Sequence, residues 1–334
     1  MKTFASLLVI AVSALAAPPT YKIADKIKVG GEGGWDYVYV DSAAQRLYAS
    51  HATKAIVIDL ASGKVVGEIA DTQGIHGIAI APDLGRGFTS NGRENSVTIF
   101  DSKTLKVISK VMVPGKNPDS IIYEPVSKRI FTFNGGSKDA TSIDAKTGMV
   151  LATFPVDGKP EFSQVDGKGH IYVNNEDKAE IYEIDAQKNA VLKHYSIAPC
   201  EAPSGLALDN AKRRLYSVCE NKLMIISNPD TGKVLGMAPI GAGADGVAFD
   251  DGYAYSSNGV DGNMTIVGET SPGKFEIVGT MPTQRSARTI GSDPKTHKLY
   301  LPAAELGPAP ETKDGKKGRA ALIPDTFSIL VLAR

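Results

Sequence analysis

A unit of about forty residues recurs along almost the whole chain, and this repeat limits the fold more than any other feature. One copy runs His76-Gly77-Ile78-Ala79-Ile80-Ala81-Pro82-Asp83, then Arg86-Gly87-Phe88-Thr89-Ser90-Asn91-Gly92. It continues through Ser96-Val97-Thr98-Ile99-Phe100-Asp101 and Lys106-Val107-Ile108-Ser109-Lys110-Val111-Met112-Val113. Each piece is a short β-rich run closed by turn formers. The same order starts again at Asp36, Asp119, Glu161, Ser204, Asp245 and Arg288. Solenoid repeats of this length are helical or carry one strand each, whereas four strands per unit make a propeller blade. No stretch has helical periodicity long enough to compete. The expected fold is therefore all-β: a seven-bladed β-propeller with four antiparallel strands per blade.

The last unit supplies only three strands, near residues 289–292, 299–301 and 328–332. Residues 21–29 read as a fourth strand with no first three before it. That orphan strand is predicted to complete the last blade and close the ring, which removes the open edge that invites aggregation. No Pro/Gly/Ser-rich linker divides the chain, so residues 17–334 are expected to form one domain.

The unit resembles the YVTN repeat of bacterial surface-layer and periplasmic propellers, the YncE-like group. Tyr172-Val173-Asn174-Asn175 nearly copies the naming motif, and Val97-Thr98-Ile99-Phe100-Asp101 and Asp144-Ala145-Lys146-Thr147-Gly148 match its third strand and the turn after it. The resemblance covers residue 21 to the C-terminus. It implies the fold firmly and an activity only loosely, because members share the scaffold more than any chemistry.

Residues 1–16 read as a signal peptide. Lys2 precedes an apolar run over residues 4–15 that is too short to span a bilayer, and Ala14-Leu15-Ala16 is a small-x-small cleavage site. Pro18-Pro19 then stops any helix. Cleavage is expected after Ala16, leaving a periplasmic or secreted protein without membrane insertion. Lys plus Arg, 37, equals Asp plus Glu, 37, so no global field favours nucleic acid or an anionic membrane. The partner expected is a small molecule or a protein, and the chain is expected to be a monomer.

Turns of a propeller alternate between the two ends of the ring. Those joining strands one to two and three to four are plain here, as in Pro82-Asp83-Leu84-Gly85 and Pro229-Asp230-Thr231-Gly232. The other end gathers the residues that lead each blade, Asp36, His76, Asp119, Glu161, Ser204, Asp245 and Arg288, around the mouth of the central channel. The ends of the second strands add His51, Asn91, Asn134, Asn175, Cys219 and Asn258. Two readings are open: these groups solvate the mouth and cap strand ends, or they bind a ligand.

Within that ring His51, His76 and Asp36 form the sharpest cluster, able to hold Zn²⁺ or another divalent metal, with Asp119 in reserve, or to act as a general acid/base pair. Glu161, Asn134, Asn175 and Asp245 offer hard oxygens that suit Ca²⁺, by analogy with lactonase-type propellers. Trp35, the single tryptophan, follows Gly30-Gly31-Glu32-Gly33-Gly34, and either anchors a ligand or packs between blades. Arg288 either pairs an anionic ligand or neutralises Asp36.

Cys200 and Cys219 fall at one end of the first hairpin of the fifth unit and are expected to form a disulfide. The segment 305–322 is far longer than its counterparts and carries a Lys-rich tip; it is either a basic flap over an acidic mouth or an insertion without a role. No nucleophile elbow, zinc-protease motif, phosphate loop or haem-attachment motif is present. Three functions remain open: a binding or interaction propeller, a metal-dependent hydrolase or lyase with its site at the same mouth, and a carrier of a redox cofactor.

Overall fold

The computed structural model describes residues 18–310, 318 and 320–334; the expected signal peptide and most of the Lys-rich tip of segment 305–322 lie outside the described residues. Seven four-stranded antiparallel sheets follow one another along the chain. Blades 1 to 6 span residues 38–69, 75–112, 118–155, 160–196, 203–239 and 244–282. Blade 7 takes three strands from residues 291–333 and its fourth from Lys22–Lys28. The first strands touch in blade order, and that of blade 7 touches that of blade 1, so the innermost strands line a closed ring.

Consecutive strand residues point to opposite faces, and each blade is covered on both faces by its neighbours. The middle strands are therefore buried almost end to end. In Arg129–Asn134, Ile130 packs against residues of blade 2, while Phe131 and Phe133 pack against residues of blade 4. The apolar interior is divided accordingly. Among the described residues, seven clusters of buried side chains are found, one between each pair of adjacent blades. Each fully buried aliphatic or aromatic side chain contributes roughly 1.5–3 kcal/mol. The fourth strands, at the rim, have neighbours on fewer sides and expose much of their length, as in Val107–Met112.

The ring closes as the sequence predicts. Lys22–Lys28 pairs antiparallel with Ser328–Ala333, from Lys22 opposite Ala333 to Lys28 opposite Ser328. Ile27 enters the cluster between blades 7 and 1, and Tyr21, just before the strand, enters the one between blades 6 and 7. The Tyr21 hydroxyl also donates to the His297 carbonyl at 2.9 Å.

Most second strands end in asparagine for a structural reason. Asn134 is fully buried, donates from Nδ2 to Asp139 Oδ1 (2.7 Å) and Thr141 Oγ1 (3.0 Å), and accepts from Thr132 Oγ1 (3.0 Å). Asn91 and Asn258 repeat this pattern with Thr98 and Thr265. A buried amide stays affordable only when its donors and acceptor are met. In blade 5 the same position holds Cys219, and the expected disulfide to Cys200 ties the strand end instead, with Cα atoms 5.4 Å apart. This bond fits an oxidising compartment. Among the described residues, no helix is long and apolar enough to cross a membrane.

Candidate functional site at the channel mouth

Five leading residues owe their position to the same irregularity. In blades 2 to 6 the pairing of the first two strands slips at the mouth end, between Ile75 and Ile78, Pro118 and Ile121, Pro160 and Ser163, Pro203 and Leu206, and Ala244 and Gly246. His76, Asp119, Glu161, Ser204 and Asp245 sit inside these slips. A β-bulge frees a residue from the ladder and re-aims its side chain, and here it turns several of these groups toward neighbouring blades.

The Nδ1 of His76 lies 2.6 Å from Asp36 Oδ2 and 3.6 Å from Asp119 Oδ1, joining blades 1, 2 and 3. Burial alone would lower the pKa of His76, but the hydrogen bond to Asp36 and the charges of Asp119 and Asp36 outweigh it and raise it to about 9. Burial, then the charge of Asp36, pushes Asp119 up to about 6. Glu161, one blade further on, is pushed up to about 8 by burial and then by Asp119. Lys159 lies 2.7 Å from Glu161 Oε1 and also pairs with Glu176; these carboxylates raise its pKa against the effect of burial. The mouth thus gathers an imidazole whose proton is held by two neighbouring carboxylates, and beside it a carboxyl whose hold on its own proton is strengthened by burial and by Asp119.

One ligand atom each from Asp36, His76 and Asp119 lies within 4.8 Å of the others, a spacing that could hold a metal ion. A metal would have to displace the proton that Asp36 and Asp119 hold on His76. The structure places His51 outside this group, against the expectation from sequence. Its side chain enters the interface between blades 7 and 1, stacks on Phe327 with ring centroids 4.2 Å apart, and is 2% exposed. Burial and, second, Lys54 lower its pKa. The oxygens considered for Ca²⁺ have other partners: Asn134 bonds Asp139 and Thr141, Asn175 Nδ2 donates to the Val156 carbonyl, Glu161 pairs with Lys159 and Asp245 with Arg288.

Arg288 ties three blades. It pairs with Asp245, donates to the Trp35 carbonyl (2.6 Å) and lies 3.5 Å from Asp36 Oδ1. Trp35 is 8% exposed and packs on Phe327, with centroids 5.3 Å apart. Tyr37 of blade 1 packs on Phe162 of blade 4 with ring centroids 4.1 Å apart and the rings tilted by 30°. These blades stand nearly opposite each other, so the two rings meet across the channel. A smaller cavity of about 220 Å³ lies further along the inner strands, beside Phe162, Leu206 and Val247.

A larger cavity of about 670 Å³ opens beside Arg288. Trp35, Asp245 and Arg288 form part of its wall, with Val260 and Arg285 from the loops around blade 6. The base of segment 305–322 supplies Leu306 and Leu322. That base is ordered by pairing of Leu306 with Leu322 and by bonds from Gly307 N to Ala321 O (2.8 Å) and Ile323 N to Glu305 O (2.9 Å). The described base of the segment therefore lies at the mouth end. Arg285 escaped the sequence reading. The available signal was Arg285-Ser286-Ala287-Arg288, where a second arginine comes just ahead of the residue that leads blade 7.

Comparison with known proteins supports the fold and nothing narrower. No protein-family model matches the chain, and no curated protein matches it in sequence. Among solved structures it is similar to a chain of hydrazine synthase from Kuenenia stuttgartiensis, with a TM-score of 0.69 and 17% identity over 80% of this chain and 92% of that one. It is also similar to U3-55K, with a TM-score of 0.76 and 8% identity over 92% of this chain and 97% of that one. Likeness at such identities is likeness of fold alone.

Proposed function

We propose that this chain is an exported, monomeric binding propeller of the YVTN-repeat, YncE-like type, and that it takes a small molecule or a segment of a partner protein at the channel mouth. The observation that carries the reading is the cavity of about 670 Å³ between the blade loops and the ordered base of segment 305–322. Its size falls within the range of small-molecule sites, and it joins apolar walls to a few charged groups. Trp35, the sole tryptophan, borders it and serves as a built-in reporter. The test uses N-phenyl-1-naphthylamine, a neutral fluorescent probe, excited by energy transfer from Trp35. Saturable sensitised emission that disappears in Val260→Trp supports the site; no saturable emission from the wild type removes it.

A second reading has its own observation, the close approach of Asp36, His76 and Asp119. It makes the mouth a metal centre for a hydrolase or lyase of lactonase-like type. Elemental analysis of the purified protein decides it. One equivalent of a divalent metal, lost in His76→Ala, supports this reading, and absence of stoichiometric metal rejects it.

A further inference from the structure

We infer that the cavity beside Arg288 binds a small organic anion with an apolar body, and that Arg285 holds its acid group. The inference rests on the reading of this cavity as a ligand site. Two arginines line the cavity, and they differ in their charge balance. Arg288 is occupied by Asp245, the Trp35 carbonyl and the nearby Asp36. The side chain of Arg285 is exposed and makes no hydrogen bond or ion pair among the described residues. Asp261, the acid nearest it in sequence on the facing turn, accepts from the Ala242 amide at 2.8 Å.

The backbone presents Arg285 at some conformational expense. Ser286, the next residue, has φ 87°, a value that side chains other than glycine rarely adopt. It is held there by bonds from its amide to Gly259 O (2.7 Å) and from its hydroxyl to Ala304 O (2.6 Å), and its Oγ accepts from the Ala304 amide (3.1 Å). Opposite, Gly262 has φ 67°, and a Cβ there would lie 3.0 Å from the Arg285 Cγ. A turn pinned in a rare conformation and a glycine that leaves room for the stem both fix where this cation stands. Strain held by several bonds is characteristic of ligand sites.

The remaining wall is apolar, from Trp35, Val260, Leu306 and Leu322. A free inorganic anion would leave that surface wet, and a neutral hydrocarbon would leave the guanidinium without a partner. A carboxylate on an apolar body satisfies both, with the fork of Arg285 matching the two oxygens.

The experiment displaces N-phenyl-1-naphthylamine from the protein with octanoate and, in parallel, with octanol. Octanoate should act at about one-tenth the concentration of octanol, as expected for one charge-assisted pair. In Arg285→Gln the two should differ by less than about threefold, with octanol unchanged; Arg285→Lys should keep most of the preference for the acid. Equal displacement by acid and alcohol in the wild type overturns the inference, as does a preference that survives Arg285→Gln. Either result leaves the cavity a ligand site, whereas a wild type with no saturable probe emission removes the site itself.

Discussion

The protonated carboxyl at the mouth leads to a measurable dependence of stability on pH. Glu161 has an ordinary value of 4.5 and is raised to about 8 in the folded chain. Between these values the folded state holds a proton that the unfolded state has released. Unfolding free energy therefore falls as pH rises, by up to about 1.4 kcal/mol per pH unit for this one group. The stability is fully present below the unfolded value and is lost as pH passes through the folded one. The full interval sets an upper bound of roughly 5 kcal/mol. Glu161 titrates beside Asp119, so the loss is shared between them and the part that follows Glu161 itself is smaller than this bound. The side chain is 12% exposed, and solvent screening removes little of this. Glu161→Gln keeps the shape and an oxygen for Lys159 but cannot ionise. Urea unfolding of both proteins at steps from about pH 5 to about pH 8 should give curves that diverge, with the wild type losing stability faster. Parallel curves would refute the argument and return Glu161 to an ordinary ionised carboxylate.

Four further outcomes follow from the fold. Replacing Cys200 and Cys219 by serine opens a link between residues 19 apart, which should lower stability by about 3 kcal/mol in the chain-entropy treatment; thiol titration of the unreduced, denatured wild type should find no free thiol. Deleting residues 21–29 removes the buried Tyr21 and Ile27 and bares the edge of Ser328–Ala333. The loss should reach about 4 kcal/mol or more, with aggregation seen by light scattering; an unchanged urea midpoint would show that the ring does not need its closing strand. Asn134→Ala strands Asp139, Thr141 and Thr132 without their partner and should cost about 2–3 kcal/mol. Asn175→Ala should cost less in the same assay, because the Oδ1 of Asn175 already lacks a partner.

The repeat made the ring legible, because four β-rich runs per unit leave few other folds, and an orphan strand at 21–29 has one open edge to fill. The disulfide could also be read, since a hairpin brings Cys200 and Cys219 to the same end. The mouth was legible as a set of positions but not as a set of contacts. Sequence order assigns His51 and His76 to one end of adjacent blades, yet strand alternation sends the His51 ring into the wall against Phe327. Asp119 takes its place beside His76 because a bulge turns it there, and one extra residue in a ladder leaves no mark in composition. Arg285 was hidden for another reason. Its place in the cavity wall depends on the base of a segment some twenty residues further along lining the same cavity, and its lack of a partner among the described residues contrasts with Arg288, which pairs with Asp245.

The contact of Tyr37 with Phe162 has a mechanical consequence. A ring of blades held only by neighbour contacts can distort into an ellipse at little cost, since each interface need shift only slightly. Two aromatic rings in contact across the bore act as a strut between nearly opposite blades, 1 and 4. Elongation along that diameter would pull the rings apart, and compression would drive them into each other. The contact therefore resists that distortion of the ring along the diameter joining blades 1 and 4.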